Sequence, residues 1–186
     1  VKDNQPVRGI ETMFRTTSAN HVYLSDIADN KANILISVNS IMVSVIVSVL
    51  ALRIDENPTL LVPMVLILTT SLLTIVFAIL ATRPNVTKGT FKREDIKRKK
   101  GNLLFFGNFH RMSLEDFEWG MSELMKDSPY LYGTMTRDIY YLGRVLAKKY
   151  RRLWIAYNIF MFGFGISILA FLIVFLRTML IAALSY

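Results

Sequence analysis

Two groups of residues in this 186-residue chain have types and spacings that could do chemistry. The first is a polar stripe. At 100° per residue, Asp26, Asn30, Asn33, Ser37, Ser40, Ser44 and Ser48 fall within an arc of about 80°, while the other faces from Ile34 onward are Ile, Val, Leu or Met with few exceptions. Hydrocarbon cannot solvate hydroxyls and amides, so in a membrane such a stripe must face other helices or a wet lumen. Two destinations satisfy that. Ser40, Ser44 and Ser48 form a small-xxx-small ladder that lets helix backbones approach and hydrogen-bond. Alternatively, Asn33, Ser37, Ser40, Ser44 and Ser48 line a pore in a homo-oligomer, with Asn33 and Asn30 at its mouth.

The second group is Arg137, Tyr140, Tyr141, Arg144 and Lys148, which lie on little more than three helical turns. A base stacked on tyrosine and a phosphate held by arginine is the general physics of nucleotide binding. A solvated helix flank with interfacial tyrosines has the same pattern, so spacing alone does not make this a site.

Other chemistries have no support. There is no phosphate-cradling glycine loop, no HExxH and no nucleophile elbow. The two histidines, His21 and His110, lack a second His at metal spacing and read as hydrogen-bonded packing residues. Asp26 and Asp29, close to Lys31, read as cap or surface residues rather than metal ligands. The expectation is a protein that is not an enzyme, holds no cofactor or metal, and takes no nucleic acid as partner.

The elements that position the two groups follow from composition. Apolar residues make up 53% of the chain, above the usual soluble range, and they concentrate in runs at 34–52, 60–81 and 153–176 that carry no Lys, Arg, Asp or Glu. Each is near the roughly 20 residues that span a bilayer, so an all-α integral membrane protein with three transmembrane helices is expected. The first run follows more than thirty residues of mixed sequence and is not a secretory signal. Cysteine is absent, which excludes disulfides and is compatible with a reducing compartment.

Net charge is +8, and residues 82–152 carry sixteen Lys and Arg against eight Asp and Glu, whereas 53–59 has one Arg against Asp55 and Glu56. The positive-inside rule places 82–152 and the amino terminus in the cytoplasm, with 53–59 and the tail 177–186 outside.

The chain then reads as a disordered start or linker at 1–9, a cytoplasmic helix at 10–31 that continues as the first span at 32–52, an outer loop at 53–59, a second span at 60–81, a small cytoplasmic basic and helical segment at 82–152, and a third span at 153–176. No Pro or Gly interrupts 10–52, so one rod of about 65 Å is expected. Pro63 sits in the first turn of the second span, where its missing N–H is tolerated. Thr69, Thr70, Ser71 and Thr74 either bond their own helix carbonyls or, for Thr70 and Thr74, meet the serine stripe. Lys92, Arg93, Lys97, Arg98, Lys99 and Lys100 would set topology and hold anionic lipid head groups.

Residues 102–110 read as a buried strand or a tucked loop. Ser113 and Asp116 resemble a capping box opening a helix with inner face Leu114, Phe117, Met121 and Leu124. Ser128 and Pro129 would supply the N-cap and first residue of the last helix, whose stripe Leu131, Met135, Ile139, Leu142 and Leu146 leads unbroken into the third span and should pack on the 10–31 helix. Trp154 and Tyr157 would form an aromatic belt, and Gly163 and Gly165 would serve local close packing.

Three segments carry a resemblance: TTSANHVYLSDIADNKANILISVNSIM at 16–42, NLLFFGNF at 102–109 and RDIYYLGRVLAKKYRRLWIAYNIF at 137–160. In this order they are similar to the Pycsar effector transmembrane family, over about 10–176, and more distantly to the two-span SLATT effectors, regarded as pore formers. The resemblance implies a bacterial inner-membrane effector of anti-phage defence, triggered by cyclic CMP or cyclic UMP, whose action impairs the membrane. It supplies no ligand residues that can be carried over position by position. Joined with the residues above, it suggests a homo-oligomer in which the nucleotide binds between the 10–31 helix and 102–148 and opens a path along the stripe. The rival is an oligomeric membrane anchor for an amino-terminal catalytic domain outside this sequence, and a small transporter is disfavoured by the lack of an intramembrane charge.

Overall fold

The computed structural model describes residues 7–53, 58–84, 93–99 and 101–184. Among the described residues all regular structure is helical: α1 (Val7–Arg53), α2 (Leu61–Thr82), α3 (Arg93–Lys97), α4 (Phe106–Phe109), α5 (Leu114–Lys126) and α6 (Ser128–Leu184), with a 3₁₀ turn at Pro58–Leu60. The starting segment to residue 6, the centre of the outer loop with Asp55 and Glu56, and the basic residues Lys92 and Lys100 lie outside the described residues. α1, α2 and α6 are each long and apolar enough to cross a membrane, as a multi-pass protein requires. α1 runs for 47 residues because nothing after Gly9 breaks it, and α6 runs for 57, continuing past 176 to Leu184 through most of the stretch read as an outer tail.

The chain divides into two compact units, one comprising Val1–Ser25 and Pro84–Ala147, the other Asp26–Arg83 and Lys148–Tyr186. The first unit is built on Ile96, Leu103, Leu124 and Tyr130, with Met112, Trp119, Met121 and Leu131 packed around them. α3 ends at Lys97, and in the turn that follows Lys99 has a φ of 56°, in the left-handed region, an unusual conformation for a side-chain-bearing residue. The Arg137 guanidinium clamps it there, donating through both terminal nitrogens to the Lys99 carbonyl at 3.1 Å.

α5 opens as expected, the Ser113 hydroxyl accepting from the Asp116 N–H at 3.2 Å. Its inner face differs from the expected one. Leu114 is 72% exposed, because it stands at the edge of the arc that Leu124 and Phe117 centre, and Gly120 occupies the other edge. A Cβ at Gly120 would come within 2.8 Å of Ile96 and 2.9 Å of Leu103.

α6 is capped by Asp127 rather than Ser128: the Asp127 Oδ1 accepts from the Tyr130 N–H at 3.0 Å. The Asp127 carbonyl also takes the first helical bond, from the Leu131 N–H at 2.9 Å, so Asp127 stands three residues before Tyr130 in the normal N-cap relation. Residues 101–110 contain no strand. Asn102 folds them locally instead, its Oδ1 accepting from the Leu104 N–H and its carbonyl accepting from the Asn108 amide, side-chain bonds that compete with a ladder. Within this unit α1 meets α6 as expected, Phe14 stacking on Tyr132 and His21 lying against Gly143.

The second unit packs mainly through alanine. Ala28, Ala32 and Leu35 of α1, Ala78 and Ala81 of α2, and Leu153 and Ala156 of α6 form its core, small side chains that let helix axes approach. Gly163 continues the seam, since a Cβ there would come within 2.5 Å of the Thr70 side chain, while Gly165 has nothing within 4 Å. Of the two glycines only Gly163 serves close packing. Lys149 pairs with Asp29 at 2.8 Å, and Arg152 donates to the Leu80 carbonyl at 2.7 Å, a cation at a helix C-terminus.

Candidate functional site

Asn33, Ser37, Ser40, Ser44 and Ser48 are all exposed on α1. The face of α1 that packs within the chain carries Ala28, Ala32, Leu35 and Asn39, and its centre lies about 150° around the helix from the stripe. The serine ladder is therefore not covered by α2 or α6. Thr70 and Thr74 do not meet it either. Thr70 faces Gly163, and the Thr69 and Thr74 hydroxyls donate to the Val65 and Thr70 carbonyls of their own helix at 2.8 Å. On the stripe itself Ser44 donates to the Ser40 carbonyl at 3.0 Å and Ser48 to the Ser44 carbonyl at 2.8 Å.

A second polar set is buried in the second unit: Asn39, Thr70, Ser71, Thr74 and Ser167. Asn39 donates to the Leu35 carbonyl at 2.8 Å, and its Oδ1, like the Ser71 Oγ, has no partner among the described residues. Sequence reading passed over Asn39, although an amide inside an apolar run and off the polar stripe was a usable signal, because only a protein interior could receive it.

The arginine and tyrosine group is partly engaged. Arg137 donates to the Gly133 carbonyl as well as clamping Lys99. Tyr140 and Tyr141 are exposed and meet edge-on at 5.6 Å, and Arg144 lies 6.0 Å over the Tyr140 ring. Lys148, also exposed, belongs to the second unit. Tyr140, Tyr141 and Arg144 thus gather on one open helix face, and Arg137 is turned to structural bonds. The histidines differ in their bonding: His110 Nδ1 lies 3.1 Å from the Gly107 carbonyl, whereas His21 Nδ1 is buried without a partner among the described residues.

Two of the clefts among the described residues lie on the first unit. One, of about 300 Å³, is lined by Lys97, Lys99, Trp119, Lys126 and the carboxylates Glu123 and Asp127 among others. Its charges are largely cancelled internally, Lys99 pairing with Asp127 and Lys126 with Glu123. The Lys99 ammonium, with the Tyr130 N–H, holds the Asp127 carboxyl below its ordinary range. Nearby, Arg93 pairs with Asp116 and lies over Trp119, and its guanidinium, with the Ser113 hydroxyl, lowers Asp116 in the same way.

The other cleft, of about 240 Å³, lies between Glu11, Phe14, Arg15 and Ser18 of α1 and Leu104, Met135 and Asp138. Arg15 and Glu11 take part in no ion pair or hydrogen bond among the described residues. Asp138 is fixed, its Oδ1 accepting from the Asn102 amide at 3.1 Å, and Asn102 is itself buried. An unpaired guanidinium and two carboxylates around apolar walls form a mixed site that suits a small anionic ligand bearing hydrogen-bond donors.

No curated protein and no solved structure matches the chain. The family model described as the Pycsar effector protein domain matches residues 12–177, and with three helices able to cross a membrane this chain belongs to that family, the membrane effectors of cyclic-nucleotide anti-phage defence.

Proposed function

We propose that this chain acts as a homo-oligomeric effector of the bacterial inner membrane that responds to a cyclic pyrimidine mononucleotide, cyclic CMP or cyclic UMP, by letting the membrane leak. One observation carries the reading: the α1 stripe of Asn33, Ser37, Ser40, Ser44 and Ser48 is left uncovered by the chain's own helices. Polar groups at membrane depth need protein or water beside them, and a second copy presenting the same face, or a lumen shared by several copies, supplies it. α1 also contributes without interruption to both compact units, so one helix carries the residues that would meet the ligand and those that would meet ions. For a near-complete switch the ligand must prefer the leaking state by about 5 kcal/mol.

Dye-loaded liposomes holding the purified chain test this. Cyclic CMP or cyclic UMP should release the dye, and S40L/S44L should abolish release while leaving nucleotide affinity intact. Release that persists in the double variant places the path elsewhere. Silence of the unaltered chain with both nucleotides favours a membrane anchor instead.

A further inference from the structure

The cleft between α1 and Asp138 has the size and the polarity to choose among pyrimidine mononucleotides. Its volume of about 240 Å³ falls just below the roughly 300–1,000 Å³ of drug-sized sites, which limits it to a small ligand. Glu11 and Arg15 stand one turn apart on α1, and Ser18 follows three residues on, so all three reach the same opening. Arg15, without a partner among the described residues, offers a planar fork to phosphate oxygens. Asp138 faces it across the cleft, held by the buried Asn102.

An ionised carboxylate only accepts hydrogen bonds. Cytosine presents an amino donor at its 4-position, the natural partner of Asp or Glu, while uracil presents a carbonyl oxygen there and sets acceptor against acceptor. A carboxylate already fixed by a neighbour discriminates better than a mobile one, because little ordering remains to be done on binding.

We propose that this cleft binds the nucleotide with Arg15 on the cyclic phosphate, Glu11 accepting from the ribose 2′-hydroxyl and Asp138 accepting from the cytosine 4-amino group, so that the chain answers to cyclic CMP in preference to cyclic UMP. This rests on the reading of a cyclic pyrimidine mononucleotide as the signal and adds the site and the choice of base.

Calorimetric titration of the full chain in detergent with each nucleotide tests it. Cyclic CMP binds about tenfold tighter than cyclic UMP, as one gained hydrogen bond against one repulsion requires. R15Q weakens both by about tenfold or more, and E11Q weakens both to a smaller, equal extent. D138N is the decisive variant. Its amide oxygen can still accept from Asn102 while its NH₂ turns to the cleft as a donor, so the preference inverts towards cyclic UMP. Equal affinity of the unaltered chain for both nucleotides, or affinities that R15Q leaves unchanged, overturn the site while the signal stands. Absence of binding to the unaltered chain by either nucleotide overturns the signal, and the site with it.

Discussion

In the first unit Ile96, Leu103 and Leu124 make an aliphatic knot, ringed by Trp119 and Met residues and stitched by Arg93 to Asp116, Lys99 to Asp127 and Arg137 to the Lys99 carbonyl. In the second unit the core is Ala28, Ala32, Ala78, Ala81 and Ala156, with Gly163 against Thr70 and hydroxyls turned into the interior. The contrast follows from the surroundings each unit is made for. In water, burying large apolar side chains drives packing. In lipid that drive is absent, so contact between helices depends on close approach and hydrogen bonds. The same chain uses bulk where solvent rewards it and smallness where solvent does not.

Three changes test this contrast, and the largest effect belongs to the bulky core. Leu124→Ala should cost about 2–5 kcal/mol, read as hydrogen-exchange protection lost from α3, α5 and the start of α6 while the alanine seam keeps its own. Equal loss in both units would mean that they do not stand on separate cores. Next, Gly163→Ala forces a methyl onto Thr70 and should cost about 1–3 kcal/mol of thermal stability in detergent, whereas Gly165→Ala, which points into open space, should leave the midpoint unchanged. A tolerated Gly163→Ala would show the seam to be looser than its geometry implies.

The smallest effect is that of acid. The Asp116 and Asp127 carboxyls are held below their ordinary value of 3.8 by Arg93 and Lys99 and by hydrogen bonds. A carboxyl depressed by folding adds stability that is present above its unfolded pKa and is lost as pH falls through the folded value. Exchange protection of α3 and α5 should therefore decline below about pH 4, with no matching decline in Ala78 or Ala156. Protection indifferent to pH across that range would reduce both ion pairs to surface decoration.

Much of the fold was legible because long-range order along a helix is written in local periodicity. The uninterrupted α1 and α6, the three spans, Pro63 in a first turn and the Ser113 cap all follow from residues within a few turns of one another. The failures are places where a distant or neighbouring group decided between near-equal local options. Ser128 is as good a cap as Asp127 by residue type, and the choice falls on Asp127 because its carbonyl takes the Leu131 N–H. Leu114 belongs to an inner face only if the helix is rotated some tens of degrees from where Gly120 allows it to sit. Asn102 could have joined a strand, but its amide had nearer partners. Of the sites, the spacing of the α1 stripe was readable and its outward direction was not, since a ladder of small residues looks the same whether it meets its own chain or a copy. The cleft at Arg15 and Asp138 joins residues over a hundred positions apart, a separation that no motif spans.

The serine hydroxyls of α1 carry one more consequence. Ser44 and Ser48 each give their proton to a carbonyl four residues back, and a hydroxyl has only one to give. What they turn outward is oxygen lone pairs, so a neighbour that comes to rest there must bring N–H or O–H groups, water or a positive ion, and an anion would find no welcome from them.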